Sequence, residues 1–184
     1  NTSCGFVGNP DYLEKYKGTP TERLKSLINN EPLLQVRFRN SDMIFEPLII
    51  SAYSIAVKQL HGPGYVLTGN STEFLDPIFS AGVTFATESG ILAGKLASKQ
   101  LKGEKIDWDL EYSMQILNGI EVFRTYIDAW YDGSLHKIFF SDIIDEKVKK
   151  QICSVLAGYV WDKKNPFVAR HKQSVRNLAN LFSE

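Results

Sequence analysis

No Gly-x-Gly-x-x-Gly loop occurs in these 184 residues, so the sequence carries no cradle for a dinucleotide pyrophosphate. Gly62-Pro63-Gly64 comes nearest, but it precedes an apolar run, whereas such a cradle follows a strand and opens a helix. Cysteine is scarce. Cys4 and Cys153 lie far apart, match no metal or redox spacing, and predict a reduced, cytoplasmic protein. His61, His136 and His171 lack the spacing of metal ligands and are expected at the surface. Neither sign of charge prevails: 21 basic residues balance 21 acidic ones, which argues against nucleic acid or an anionic membrane as a partner. No apolar run reaches the roughly 18 residues of a membrane span, and no signal peptide is seen. Internal repeats and low-complexity stretches are missing too.

What remains is ordinary globular material. A hydrophobic share of 43% and a charged share of 23% suit a buried core in one or two domains. The organising stretch is Tyr65 to Leu101. Tyr65–Thr68 reads as a short strand launched from the Gly62-Pro63-Gly64 turn, and Gly69-Asn70 ends it. Asp76-Pro77 bars a regular helix in the loop, because proline has no amide hydrogen. A helix is therefore expected only after Ser80-Ala81-Gly82, running to about Lys102, where Gly103 can close it. Gly82, Ala86, Gly90 and Gly94 recur every fourth residue and stack on one bare face. Two mid-helix glycines cost roughly 1 kcal/mol each against alanine, so something is expected to approach that backbone closely. A neighbouring strand or a flat ligand would serve. The unpaired amides at the helix start suit an anion or a ring that gains negative charge.

These residues carry a family resemblance. Leu67-Thr68-Gly69-Asn70, followed by Phe74, Pro77, Ser80 and Gly82 in the pattern Phe-x-x-Pro-x-x-Ser-x-Gly, resembles the second flavin-binding motif of FAD-dependent monooxygenases. Within that group the segment is most similar to the tryptophan-halogenase-like branch, convincingly over residues 43 to 102. The resemblance implies a mixed α/β fold, FAD as cofactor, and the C-terminal portion of a longer oxidoreductase. Gly69, Asn70, Pro77, Ser80, Ala81, Gly82 and Val83 would then touch the flavin, with no catalytic residue or metal ligand assigned. It further implies a small-molecule or carrier-protein-bound substrate, a flavin reductase as an accessory partner, and the missing N-terminal part of the same flavoprotein. The amides matching Ala81 and Gly82 also resemble the family's halide site, while the lysine that halogenation needs would lie outside this chain. One departure stands out: Asn70 replaces an aspartate that accepts a ribityl hydroxyl. Its oxygen still accepts, but without charge.

The flanks fit such a division, with residues 1–60 on the substrate side, 61–103 in the FAD domain and 104–184 as a helical region. Asn1 to Val7 read as the middle of a longer sequence, with a strand over 2–8 and a turn at Gly8-Asn9-Pro10. Thr19, Pro20 and Glu22 form a capping box for a helix with Leu24, Leu27 and Ile28 on its apolar face. A short helix is expected over Leu33–Arg39, and one or two strands over Met43–Leu60. Asp107 can cap a helix reaching Tyr131, with Leu110, Met114, Leu117, Ile120, Phe123, Ile127 and Trp130 on one side. Asp142 or Asp145 opens the next helix and Asn165-Pro166 the last.

Two other functional classes compete. Gly69-x-Ser71 imitates the start of a nucleophile elbow, but Glu73 replaces the second glycine and Pro77 forbids the helix that should follow at once. A non-catalytic helical interaction module that keeps the flavoprotein fold is the other, and flavin absorbance separates it from the oxidoreductase.

Overall fold

A computed structural model of the chain describes residues 2–51 and 54–181, in two compact units divided between Tyr53 and Ser54. The fold is mixed and mostly helical, with two small antiparallel sheets.

In the first unit, Asn9 accepts the Asp11 amide at 3.0 Å and starts α1 (Pro10–Leu13). Residues 2–8 pair with no strand, contrary to expectation. A strand needs a ladder to satisfy its backbone groups, and the described residues supply no partner there. α2 (Pro20–Asn30) begins on the expected capping box: Thr19 Oγ1 accepts the Glu22 amide at 3.3 Å, and Glu22 accepts the Thr19 amide at 2.7 Å. α3 (Pro32–Phe38) follows after the break at Glu31. Residues 43–51, expected as strand, are irregular, and Ile44, Phe45 and Leu48 are left exposed. Ala52 and Tyr53 lie outside the described residues.

The second unit holds the core. Of the strands expected over Met43–Leu60, the described residues form only β1 (Ile55–Ala56), which pairs antiparallel with β4 (Glu73–Phe74). Between them, β2 (His61–Gly62) and β3 (Tyr65–Val66) make the hairpin announced by Gly62-Pro63-Gly64, with Gly64 at φ +80°. α4 (Gly82–Leu101) is the expected long helix. Gly103, at φ +93°, closes it: its amide donates to Gln100 O at 2.9 Å and that of Glu104 donates to Lys99 O at 3.2 Å.

Asp107 accepts the Leu110 amide at 3.0 Å. One π turn (Asp109–Ser113) then leads into α5 (Met114–Tyr131). Here the expected apolar row holds only from Ile120 onward. Leu110, Met114 and Leu117 face outward, and Tyr112 and Ile116 go inside instead. Tyr112 fills that place because its hydroxyl reaches the Leu67 carbonyl, at 2.5 Å. α6 (Ser134–Phe139) had no clear sequence signal beyond Gly133. α7 (Glu146–Leu156) starts on Asp145, which accepts the amides of Lys147 and Val148. Asn165 caps α8 (Pro166–Ala169), after which α9 (His171–Leu181) runs on separately.

The core joins Phe85, Ala93 and Leu96 of α4 to Ile116, Ile120, Phe123 and Tyr126 of α5, with Leu135, Ile138, Ile152, Val155 and Val175 behind them. Burying each such side chain contributes about 1.5–3 kcal/mol. Of the aromatics on α5 and just beyond it, Phe123 and Tyr126 are core, whereas Phe140 is exposed. Tyr126 donates to Phe167 O at 2.7 Å, and burial pushes its phenol well up. Gly119 lets α5 meet Trp161: a Cβ there would stand 2.5 Å from the indole, whose Nε1 donates to Gln115 O at 2.7 Å.

Candidate functional site

After the hairpin the chain makes a tight 3₁₀ turn at Gly69–Ser71. Ser71 closes it from within, its hydroxyl accepting the Thr68 amide at 3.1 Å and donating to Thr68 O at 2.7 Å. Thr72, buried, donates to Gly69 O at 2.7 Å. Gly69 sits at φ +56°, and a Cβ added to it would lie 3.1 Å from that of Ala86 on α4. Both the backbone angle and the helix contact thus require glycine.

Between the turn and α4, Asp76 organises the loop. One carboxylate oxygen accepts the Ile78 amide at 2.8 Å and the other accepts the Tyr131 hydroxyl at 3.0 Å. Pro77–Phe79 forms a second 3₁₀ turn, and Phe79 packs edge-on against Phe123 and Trp130. Ser80 then takes a left-handed conformation, φ 53° and ψ 35°, alone among the described non-glycine residues. Such a backbone costs an L-residue about 1–2 kcal/mol. It swings the chain directly into α4.

The N-terminus of α4 has no side-chain cap, and its first helical bond runs from Phe85 N to Ala81 O at 3.1 Å. The amides of Gly82, Val83 and Thr84 therefore have no acceptor within the helix. Val83 is 78% exposed, and Gly82, Ala86, Gly90 and Gly94 lie along the open side of the helix. A Cβ on Gly90 or Gly94 would meet nothing within 4 Å. One on Gly82 would meet only Asn70 Oδ1, at 3.5 Å. The Gly69 turn thus approaches this face at Ala86, whereas at Gly90 and Gly94 the expected close approach is not made by any described part of the chain.

The structure brings Asn70 beside Gly82 and sets Pro77, Ser80 and Val83 on the exposed side of the same loop. Gly69 and Ala81 are buried, and the Gly69 amide already donates to Ser89 Oγ at 2.8 Å. Sequence reasoning missed Ser89 and Tyr112, which grip this turn from behind, although a lone serine between Phe85 and Ala93 was a signal of sorts. It also missed Glu73, whose nearly buried carboxylate pairs with Arg124. Burial pushes that carboxyl up, the Arg124 charge pulls it back, and Glu121 adds a smaller upward push.

Among the described residues nothing resembles a hydrolase site. Ser71 spends its hydroxyl on its own turn, and the histidines are engaged elsewhere. His61 meets Asp109 at 3.1 Å, His136 packs its ring 4.0 Å from that of Trp130, and His171 Nδ1 meets Thr125 Oγ1 at 2.7 Å. Among the described residues, no three His, Cys, Asp or Glu side chains are grouped to hold a metal. No described helix is long and apolar enough to cross a membrane.

No family model matches the chain. It is 31% identical over 107 residues to the 1H-pyrrole-2-carbonyl-(peptidyl-carrier protein) brominase of Pseudoalteromonas luteoviolacea, an alignment covering 58% of this chain and 26% of that protein. Among solved structures, 95% of the chain superposes on 43% of a flavoprotein/dehydrogenase from Cytophaga hutchinsonii, with TM-score 0.89 and 49% identity. It also superposes, over 94% of its length and 43% of the other's, on the flavin-dependent brominase Bmp2, with TM-score 0.71 and 22% identity. This chain is a relative of the flavin-dependent, halogenase-like flavoproteins. The resemblance read from Phe74, Pro77, Ser80 and Gly82 therefore points to the right group. The chain spans about a quarter of the brominase and less than half of the Cytophaga flavoprotein.

Proposed function

We propose that this halogenase-like chain supplies the ribityl and ring side of an FAD site in an oxidoreductase. Bound FAD would supply the redox chemistry. The residues from this chain are Gly69, Asn70, Pro77, Ser80, Ala81, Gly82 and Val83. The observation that carries the reading is the uncapped start of α4, with Asn70 Oδ1 standing beside Gly82 and the glycine face open beyond it. That ensemble offers what a flavin ring needs. Amide donors face a ring edge that becomes negative, an amide oxygen can accept from a ribityl hydroxyl, and no side chain bars a flat approach. Gly69 takes part through the shape of its turn, since its amide is already bonded to Ser89.

Two shallow grooves on the second unit, one beside His61 and Trp108 and one between Lys147 and Asn165, include none of these residues. An open face in place of a cavity is what one half of a shared site leaves. The other half, holding the diphosphate and adenine, is assigned to the remainder of a longer flavoprotein, as the coverage of the relatives supports. The division into 1–60, 61–103 and 104–184 belongs to the same proposal. Substrates on a carrier protein fit the name of the Pseudoalteromonas relative, and an aromatic or carrier-bound organic substrate is our assignment here.

The test is flavin content. The full-length polypeptide containing this segment should purify with flavin absorbance, or take FAD up with quenching of its fluorescence. Ser80→Trp should abolish uptake while the helical circular dichroism stays. A folded full-length wild type that takes no flavin would favour the non-catalytic interaction module instead.

A further inference from the structure

The segment proposed to meet the flavin is held from behind by two hydroxyls that face no ligand. Ser89 on α4 and Tyr112 in the π turn are both fully buried, at 0% exposure. Tyr112 donates to Leu67 O, and Ser89 Oγ accepts the Gly69 amide at 2.8 Å. The residues on either side of Thr68 are thus fixed, one from each helix. The direction of the second bond is set as well. A serine hydroxyl has one proton, and that of Ser89 goes to the Phe85 carbonyl one helical turn back, which leaves a lone pair for Gly69.

We infer that Ser89 is a positioning residue for the flavin site: with Tyr112 it fixes the Thr68–Asn70 turn against α4, and so fixes Asn70 beside Gly82. This rests on the flavin reading above. Few other side chains could do it. Gly69 already touches Ala86, which leaves room for something short, and alanine would strand a buried amide. Neither hydroxyl touches the proposed ligand, so the effect passes entirely through the turn.

Two measurements on the full-length polypeptide separate the clamp from its consequence. The first is amide hydrogen exchange at Gly69 in the flavin-free protein. Ser89→Ala should speed it about tenfold or more, the cost of one lost buried hydrogen bond. The second is the FAD dissociation constant, by flavin fluorescence, against a control that weakens the core elsewhere. Val175→Ala in α9, which packs on α5, α6 and α8, is that control. Ser89→Ala should raise the constant about tenfold, whereas Val175→Ala should leave it nearly unchanged at similar loss of melting temperature. Unchanged exchange at Gly69, or equal weakening by both variants, overturns the inference. If Ser89→Ala does not fold, Tyr112→Phe removes the other hydroxyl and should move both readouts the same way; failure to do so counts equally against it. A folded wild type that takes no flavin overturns the flavin reading and the positioning role with it. The exchange result then still decides whether the clamp exists.

Discussion

One substitution, glycine to alanine, should have opposite effects on the two long helices, and the structure says why. In α4, Gly90 and Gly94 have open space where a Cβ would go. Alanine there gains only the helix preference, about 1 kcal/mol each. In α5, Gly119 faces the Trp161 indole, and a Cβ would stand 2.5 Å from the ring. The ring must move, at roughly 1–3 kcal/mol for overpacking. Its Nε1 bond to Gln115 O goes with it, about 1 kcal/mol more. Set against the same helix gain of about 1 kcal/mol, the net loss is roughly 1–3 kcal/mol. For a chain of this size each kcal/mol moves the melting temperature by about 2–4 °C. Differential scanning calorimetry of flavin-free protein should therefore show Gly90→Ala and Gly94→Ala melting higher, and Gly119→Ala lower by several degrees. A second reading comes from flavin titration. If the open face receives the flavin or the rest of the flavoprotein, the two stabilising variants should bind FAD more weakly than wild type. A Gly90→Ala variant that melts lower, or a Gly119→Ala variant that melts higher, would refute the packing argument.

Three further outcomes follow from the buried and half-buried charged groups. Arg124→Ala strands the nearly buried Glu73 carboxylate and should cost about 3 kcal/mol in urea unfolding, the low end for a broken buried pair, because Arg124 is 42% exposed. Glu73→Gln keeps the volume and removes the charge whose ionisation burial opposes. Because folding raises that carboxyl, its contribution is full below about 4.5 and is lost as pH rises through the folded value, so the amide should be close to neutral at pH near 7. Arg124→Ala proving milder than Glu73→Gln would reverse this assignment. The His171 imidazole is held below its usual range by burial first and by Lys172 second, with Glu121 opposing. Its contribution is present above 6.5 and is lost as pH falls through the lowered value, so the melting temperature should drop on acidification, and His171→Gln should flatten that slope.

The parts of this protein legible in its sequence are those fixed by neighbours in the chain. Thr19 with Glu22, Asp145 and Asn165 cap their helices because a short side chain reaches only amides two or three residues on. Pro77 kept the loop from becoming a regular helix and Gly103 closed α4, both by local backbone chemistry, and the Phe-Pro-Ser-Gly pattern carried the likeness to halogenase-like flavoproteins. What the tertiary structure alone decided involves partners far apart in sequence. The strand expected over 2–8 did not form, and of the one or two expected over Met43–Leu60 the described residues form only β1, because a strand exists only by pairing and propensity cannot supply a neighbour. Tyr112 displaced Leu110 from the interior because the Leu67 carbonyl, 45 residues away, needed a donor. Ser89 took the Gly69 amide across 20 residues, and Glu73 found Arg124 across 51. Capping is a property of a few consecutive residues, whereas burial and the satisfaction of buried polar groups belong to the folded chain.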